Sequence, residues 1–137
     1  MKTLATLSFL LICLINSAWA QKKPVGDIEA IKSVIAKETS SFMNVDFKGW
    51  SETWAHEPYS YWSYSDSTGT SYVEGWDQLT KTFDKYFRTQ KPSLAKITNE
   101  WIEFRVYGTG AYVRFVQKVA DDIDRDETSQ MRVLEKL

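Results

Sequence analysis

Apolar positions recur along this chain with two different periods. Ile28, Ile31, Val34, Ile35 and Phe42 follow the three- and four-residue spacing of a helix, and Asp27 before them suits an N-cap, so an amphipathic helix is predicted over residues 28–43. At ~100° per residue Ile31, Ile35 and Phe42 share a narrow arc with Val34 at its edge, and Glu38 falls inside it. A shorter helix follows Asp46, with Phe47, Trp50 and Trp54 on one face, and Pro58 forbids its continuation. Tyr59 to Ser65 is strand-like, Asp66-Ser67-Thr68-Gly69 is turn chemistry, and Ser71 to Glu74 returns as a second strand. Trp76, Leu79, Phe83, Tyr86 and Phe87 mark a third helix over residues 76–88.

From Ala95 onward the period is two. Trp101 to Tyr107 alternates, with Ile102, Phe104 and Val106 on one side and Trp101, Glu103, Arg105 and Tyr107 on the other. A two-residue Gly108-Thr109 turn pairs Val106 with Ala111, Phe104 with Val113 and Ile102 with Phe115, which leaves one face wholly apolar. The other face then carries Glu103 opposite Arg114 and Arg105 opposite Tyr112, whereas a three-residue turn would set Phe104 beside Arg114. Asp121 to Glu127 reads as an acidic hairpin loop, and Gln130 to Leu137 as a further strand. Helices first and antiparallel strands last is an α+β order.

Composition changes the picture at the N-terminus. Lys2, the apolar run Leu4 to Ile15 and the small residues Ala18 and Ala20 form a signal-peptide pattern, so residues 1–20 are expected to be removed and residues 21–137 to form one exported domain, periplasmic or extracellular. Ile12 is too bulky before Cys13 for a lipidation motif, and Cys13, the one cysteine, leaves with the signal. The mature protein then has no disulfide and no thiol chemistry. A net charge of −1 gives no reason to expect nucleic acid, or a membrane after signal cleavage, as partner. With one histidine and no second ligand at a suitable spacing, no metal site and no cofactor are expected. Asp122, Asp124 and Asp126 have the early spacing of a calcium loop, but Glu127 stands where Gly is needed and Val133 where the bidentate Glu belongs.

Candidate chemistry gathers between Trp54 and Trp76. Trp54, Tyr59, Tyr61, Trp62, Tyr64 and Trp76 supply large rings with polar edges, suited to lining a pocket for a small apolar or aromatic molecule or to forming a packed core. Glu38, a carboxylate within an apolar stripe, either reaches water at the edge of its helix or faces a pocket as an acid or base. His56 stands just past a helix end, where the dipole favours a protonated ring, and this structural role competes with a catalytic one. In an enzyme, Glu38 or His56 would move a proton while a Tyr hydroxyl stabilised developing charge.

The chain resembles the SnoaL-like branch of the nuclear transport factor 2-like superfamily. The matching residues are Ile28-x-x-Ile31 through Asp46-Phe47-x-x-Trp50-x-x-x-Trp54, Glu74-Gly75-Trp76-Asp77, Val106-Tyr107-Gly108, Ala111-Tyr112-Val113 and Arg132-Val133-Leu134-Glu135-Lys136. The resemblance implies a cone-shaped α+β fold, N-terminal helices packed on a curved antiparallel sheet around a pocket, often dimeric through the outer sheet face. Such proteins continue past Leu137 into a Gly-containing turn and a last strand, so a truncated copy, or a strand supplied otherwise, is expected. The family's catalytic sets do not map onto this sequence. Two functions stay open: a secreted small-molecule pocket protein with or without acid–base chemistry, and a non-catalytic homodimer or assembly domain joined through Trp101, Arg105, Tyr107 and Tyr112. Carbohydrate binding through exposed Tyr and Trp is a third reading.

Overall fold

The computed structural model describes residues 25–121 and 125–136, so the signal-peptide reading and the Asp122–Asp124 part of the acidic loop lie outside the described residues. Helix α1 (Val25–Met43) carries Asp27 in its first turn, where the positive end of the dipole favours a carboxylate. Its Ile31 and Ile35 are buried against Ala111, Val113 and Phe115, and Val34, Trp101, Phe104, Val106 and Leu134 close around them. Burying a side chain such as Ile35 or Phe115 stabilises the fold by about 1.5–3 kcal/mol.

Helix α2 (Phe47–Ser51) starts at Asp46, whose Oδ1 accepts the Gly49 N–H at 3.0 Å. It is shorter than its apolar spacing suggests, because Thr53 and Trp54 leave it through turn bonds to Trp50 and Ser51. Strands β1 (Tyr61–Asp66) and β2 (Gly69–Glu74) form a hairpin whose turn is fixed by Asp66 Oδ1 accepting the Thr68 N–H at 2.7 Å. Gly75, with φ 84°, then swings the chain into helix α3 (Trp76–Thr89).

The ends of α1, α2 and α3 share an aromatic core of their own. Trp50 is 1% exposed at its centre, with ring centroids of Trp54, Trp76, Phe83 and Phe87 5.1–5.6 Å away. Phe42 of α1 stacks on Tyr86 of α3 at 4.1 Å, and the Tyr86 hydroxyl donates to the Phe42 carbonyl. This packing fixes α1 relative to α3.

Strands β3 (Lys96–Tyr107), β4 (Gly110–Ala120) and β5 (Arg125–Glu135) form an antiparallel sheet in that order, separate from the β1–β2 hairpin. The β3–β4 turn is the two-residue one expected, with Gly108 at φ 58°, and Val106 faces Ala111, Phe104 faces Val113, Glu103 faces Arg114 and Arg105 faces Tyr112. The register then departs from simple alternation. A bulge between Trp101 and Glu103 puts Trp101, not Ile102, opposite Phe115. Trp101 turns inward, 4.9 Å from the Phe115 ring and 5.3 Å from Phe104, while Ile102 is 55% exposed. The expected outer position of Trp101 and inner position of Ile102 are thus both corrected. The larger ring covers more of the core, and the extra residue of the bulge is what lets it do so.

Strand β5 also starts earlier than its apolar pattern suggests. Arg125 to Glu127, expected in the acidic loop, pair with Ala120, Val119 and Lys118. Lys118 lies between Glu100 at 2.9 Å and Glu127 at 3.7 Å, so one β4 cation supports acidic residues on both neighbouring strands.

Candidate functional site

The inward residues of β4 run Ala111, Val113, Phe115, Gln117, and the last of these breaks an apolar row. Gln117 is 8% exposed, and its amide donates to Thr39 Oγ1 of α1 at 3.3 Å and to Asn99 Oδ1 of β3 at 3.2 Å. Thr39 in turn donates to Glu38 Oε2 at 3.3 Å. Glu38 faces Arg132 of β5, with Oε2 and Nη2 3.8 Å apart. Arg132 is steadied by Gln130, whose Oε1 accepts its Nη1–H at 2.7 Å, and Gln130 donates to Thr128 at 2.8 Å. The Arg132 guanidinium also lies 5.8 Å from the Phe115 ring centroid. A polar strip therefore crosses the sheet face beneath α1, from Asn99 through Gln117, Thr39 and Glu38 to Arg132, Gln130 and Thr128.

Glu38, the residue least in keeping with the apolar stripe of its helix, finds its partner on a strand distant in the sequence. Glu38 neither stands free in water at its helix edge nor lines the cleft: the structure sets it against a cation from β5. Gln117 was legible as a polar exception in an inward row. Arg132, Gln130 and Thr128 were not, because β5 is polar on both faces and only its pairing with β4 shows which side faces α1.

Beside this strip lies a cleft of about 220 Å³ between α1 and the sheet. Ile31, Val34, Val106, Ala111 and Leu134 floor it, and Asp27, Glu135 and Lys136 stand at its rim. Lys136 reaches Asp27 at 3.3 Å, and Glu135 accepts the Tyr59 hydroxyl at 2.8 Å. That bond raises the Tyr59 pKa, since losing the proton would set two negative charges against each other.

The residues expected to form one site are distributed. His56 stacks on Trp76 with centroids 4.1 Å apart, and its Nε2 lies 2.9 Å from the Ser51 carbonyl and 3.1 Å from Ser51 Oγ. A carbonyl only accepts, so Nε2 carries the proton and the ring caps the end of α2. Trp54 and Trp76 belong to the aromatic core around Trp50, and Trp62 sets its edge against Phe83 at 5.3 Å. Tyr61 and Tyr64 are exposed on the β1–β2 hairpin. Tyr59 reaches a residue at the rim of the cleft through its hydrogen bond to Glu135. Neither Glu38 nor His56 lines that cleft. The opposite, outer face of the sheet exposes Ile102, Tyr107, Met131 and Val133, the last at 79%.

No protein-family model matches the sequence. No curated protein matches it either. The crystal structure of an NTF-2 like protein of unknown function from Shewanella oneidensis MR-1 superposes with a TM-score of 0.63 at 14% identity, over 81% of this chain and 88% of its own. The α+β architecture is therefore the nuclear transport factor 2-like fold. A second solved structure, from work on de novo design of proteins with diverse pocket structures, matches at a TM-score of 0.46 and 6% identity, over 79% of this chain and 89% of its own, too loosely to build on.

Proposed function

We propose that the chain is an exported, SnoaL-like pocket protein that binds a small apolar or aromatic molecule in the cleft between α1 and the sheet. The observation that carries this reading is the cleft itself: about 220 Å³ floored by Ile31, Val34, Val106, Ala111 and Leu134, with charges only at its rim. An apolar floor with a few polar groups at the edge is the usual make-up of a small-molecule site. Binding is favoured over acid–base chemistry because His56 is engaged in capping α2, Arg132 balances the charge of Glu38, and neither Glu38 nor His56 lines the cleft. Amide NMR titration with 2-phenylethanol tests it. Saturable shifts at Ile31, Val34 and Leu134, abolished by Val34→Phe, support the reading; no saturable shift at those amides sinks it.

A second reading is favoured by the outer sheet face. Ile102, Tyr107, Met131 and Val133 are exposed together there, with Tyr112 and Arg105 paired across β3 and β4. A homodimer through this face would cover them, using Ile102 where the sequence alone offered Trp101. Arg105→Glu combined with Tyr112→Glu should then give monomers in sedimentation, and a wild-type chain that stays monomeric at high concentration removes the idea.

A further inference from the structure

The polar strip and the cleft are neighbours along the same two elements, α1 and β5. On α1, Val34 lines the cleft and Glu38 stands one turn further along the same face, about 6 Å away. On β5, Leu134 lines the cleft and Arg132 is the next residue on the same side, about 7 Å along the strand. A molecule whose apolar body occupies the cleft can therefore bring its other end to the Glu38–Arg132 pair.

That pair is loosely made. At 3.8 Å its nearest atoms are beyond hydrogen-bonding distance, whereas a well-formed Arg–carboxylate contact is shorter and commonly bidentate. Gln130 holds the other arm of the guanidinium, so Nη1 is committed while Nη2 faces Glu38 without bonding it. Among the described residues, Glu38 Oε2 receives only the long 3.3 Å bond from Thr39. A donor and an acceptor thus stand side by side, each with hydrogen-bonding capacity to spare.

Charge decides which head group fits. Glu38 and Arg132 cancel, and the rim holds Asp27 and Glu135 against Lys136 alone. A ligand carboxylate would gain Arg132 but meet Glu38 at close range in a partly dehydrated place, where like charges repel strongly. An uncharged head that accepts from Arg132 and donates to Glu38 satisfies both groups and adds no charge. The amides of Asn99, Gln117 and Gln130 in the same strip are neutral as well.

We infer that the ligand is an uncharged amphiphile: an apolar or aromatic body for the cleft, and a primary amide head whose oxygen accepts a hydrogen bond from Arg132 and whose nitrogen donates one to Glu38. This rests on the cleft-binding reading above and adds the chemistry of the head. Selectivity comes from Glu38, which excludes the carboxylic acid of the same shape.

Titration calorimetry with 3-phenylpropanamide and with 3-phenylpropanoate at neutral pH tests it on the full chain. The amide should bind about tenfold or more tightly than the carboxylate. Glu38→Gln should bring the two ligands together, chiefly by admitting the carboxylate, and Arg132→Gln should weaken the amide by about tenfold. Circular dichroism checks that both variants fold, and the wild-type ratio tests the inference without them. Equal binding of both ligands, or tighter binding of the carboxylate, overturns the inference and leaves the cleft reading standing. If neither ligand binds and 2-phenylethanol also fails, both fall together; if 2-phenylethanol alone binds, only the head-group inference is lost.

Discussion

Replacing Gln117 with Leu separates a polar strip kept for function from one that pins α1 to the sheet. The change nearly conserves volume at a position 8% exposed, so little overpacking is expected. It removes two hydrogen bonds, to Thr39 at 3.3 Å and to Asn99 at 3.2 Å, both at or beyond the long end of the normal range. Their combined net contribution is about 1–2 kcal/mol, and about 1 is the better figure for bonds this long. Thr39 keeps its bond to Glu38, and Asn99 is only half-buried on the edge strand β3, so neither partner is left stranded. Against that loss, a buried Leu gains about 2 kcal/mol of transfer free energy. The balance is a gain of about 1 kcal/mol, or a rise of about 4 °C in Tm for a domain of this size. Urea unfolding followed by tryptophan fluorescence should show a higher midpoint at an unchanged slope. Binding of 3-phenylpropanamide should weaken at the same time, because Thr39 and Glu38 lose the anchor that holds them to β4, the usual exchange of stability for function. Should Gln117→Leu lower stability by more than about 1 kcal/mol, the strip is a structural pin and the reasoning is wrong.

Other consequences are as direct. Trp101→Ala should cost about 2–4 kcal/mol and Ile102→Ala under about 0.5 kcal/mol; strict alternation along β3 requires the reverse order, so one pair of denaturation curves decides the bulge. The Trp54 indole N–H is buried without a hydrogen-bond partner among the described residues, so Trp54→Phe should hold stability or raise it by about 1 kcal/mol, and a clear loss in thermal unfolding would show that the donor is satisfied. Hydrogen bonds from Lys37 of α1 and Lys48 of α2 hold the Glu52 carboxyl down from 4.5 to about 2. Because its folded pKa is depressed, this tie is complete above about pH 4.5 and is lost as pH falls through about 2, so Glu52→Gln should flatten the near-ultraviolet acid titration within that window. If the exported form begins at Gln21, N-terminal sequencing will read Gln-Lys-Lys, and retention of Lys2 would reject the signal-peptide reading.

Much of this protein was decided within a few residues of each feature. Asp46 caps α2 because its side chain reaches an N–H three residues on, Asp66 closes its turn through Thr68, and His56 caps α2 from five residues away. Gly108 takes the left-handed conformation its turn requires, and parity along β4 then leaves only the register that buries Ala111, Val113 and Phe115. Those features, and the helices-then-sheet order, could be read from the chain because local sterics and local hydrogen bonds produce them. The tertiary structure decided what depends on distant partners. Whether Trp101 or Ile102 faces inward turns on a bulge that is worthwhile only if Phe115 and Phe104 are there to be covered. The dense aromatic stretch divides between a core around Trp50 and an exposed hairpin, since ring content alone does not say which rings another helix will meet. Glu38 acquires its meaning from Arg132, a residue from the opposite end of the described chain. No periodicity could pair them, because the contact exists only once α1 lies across β5.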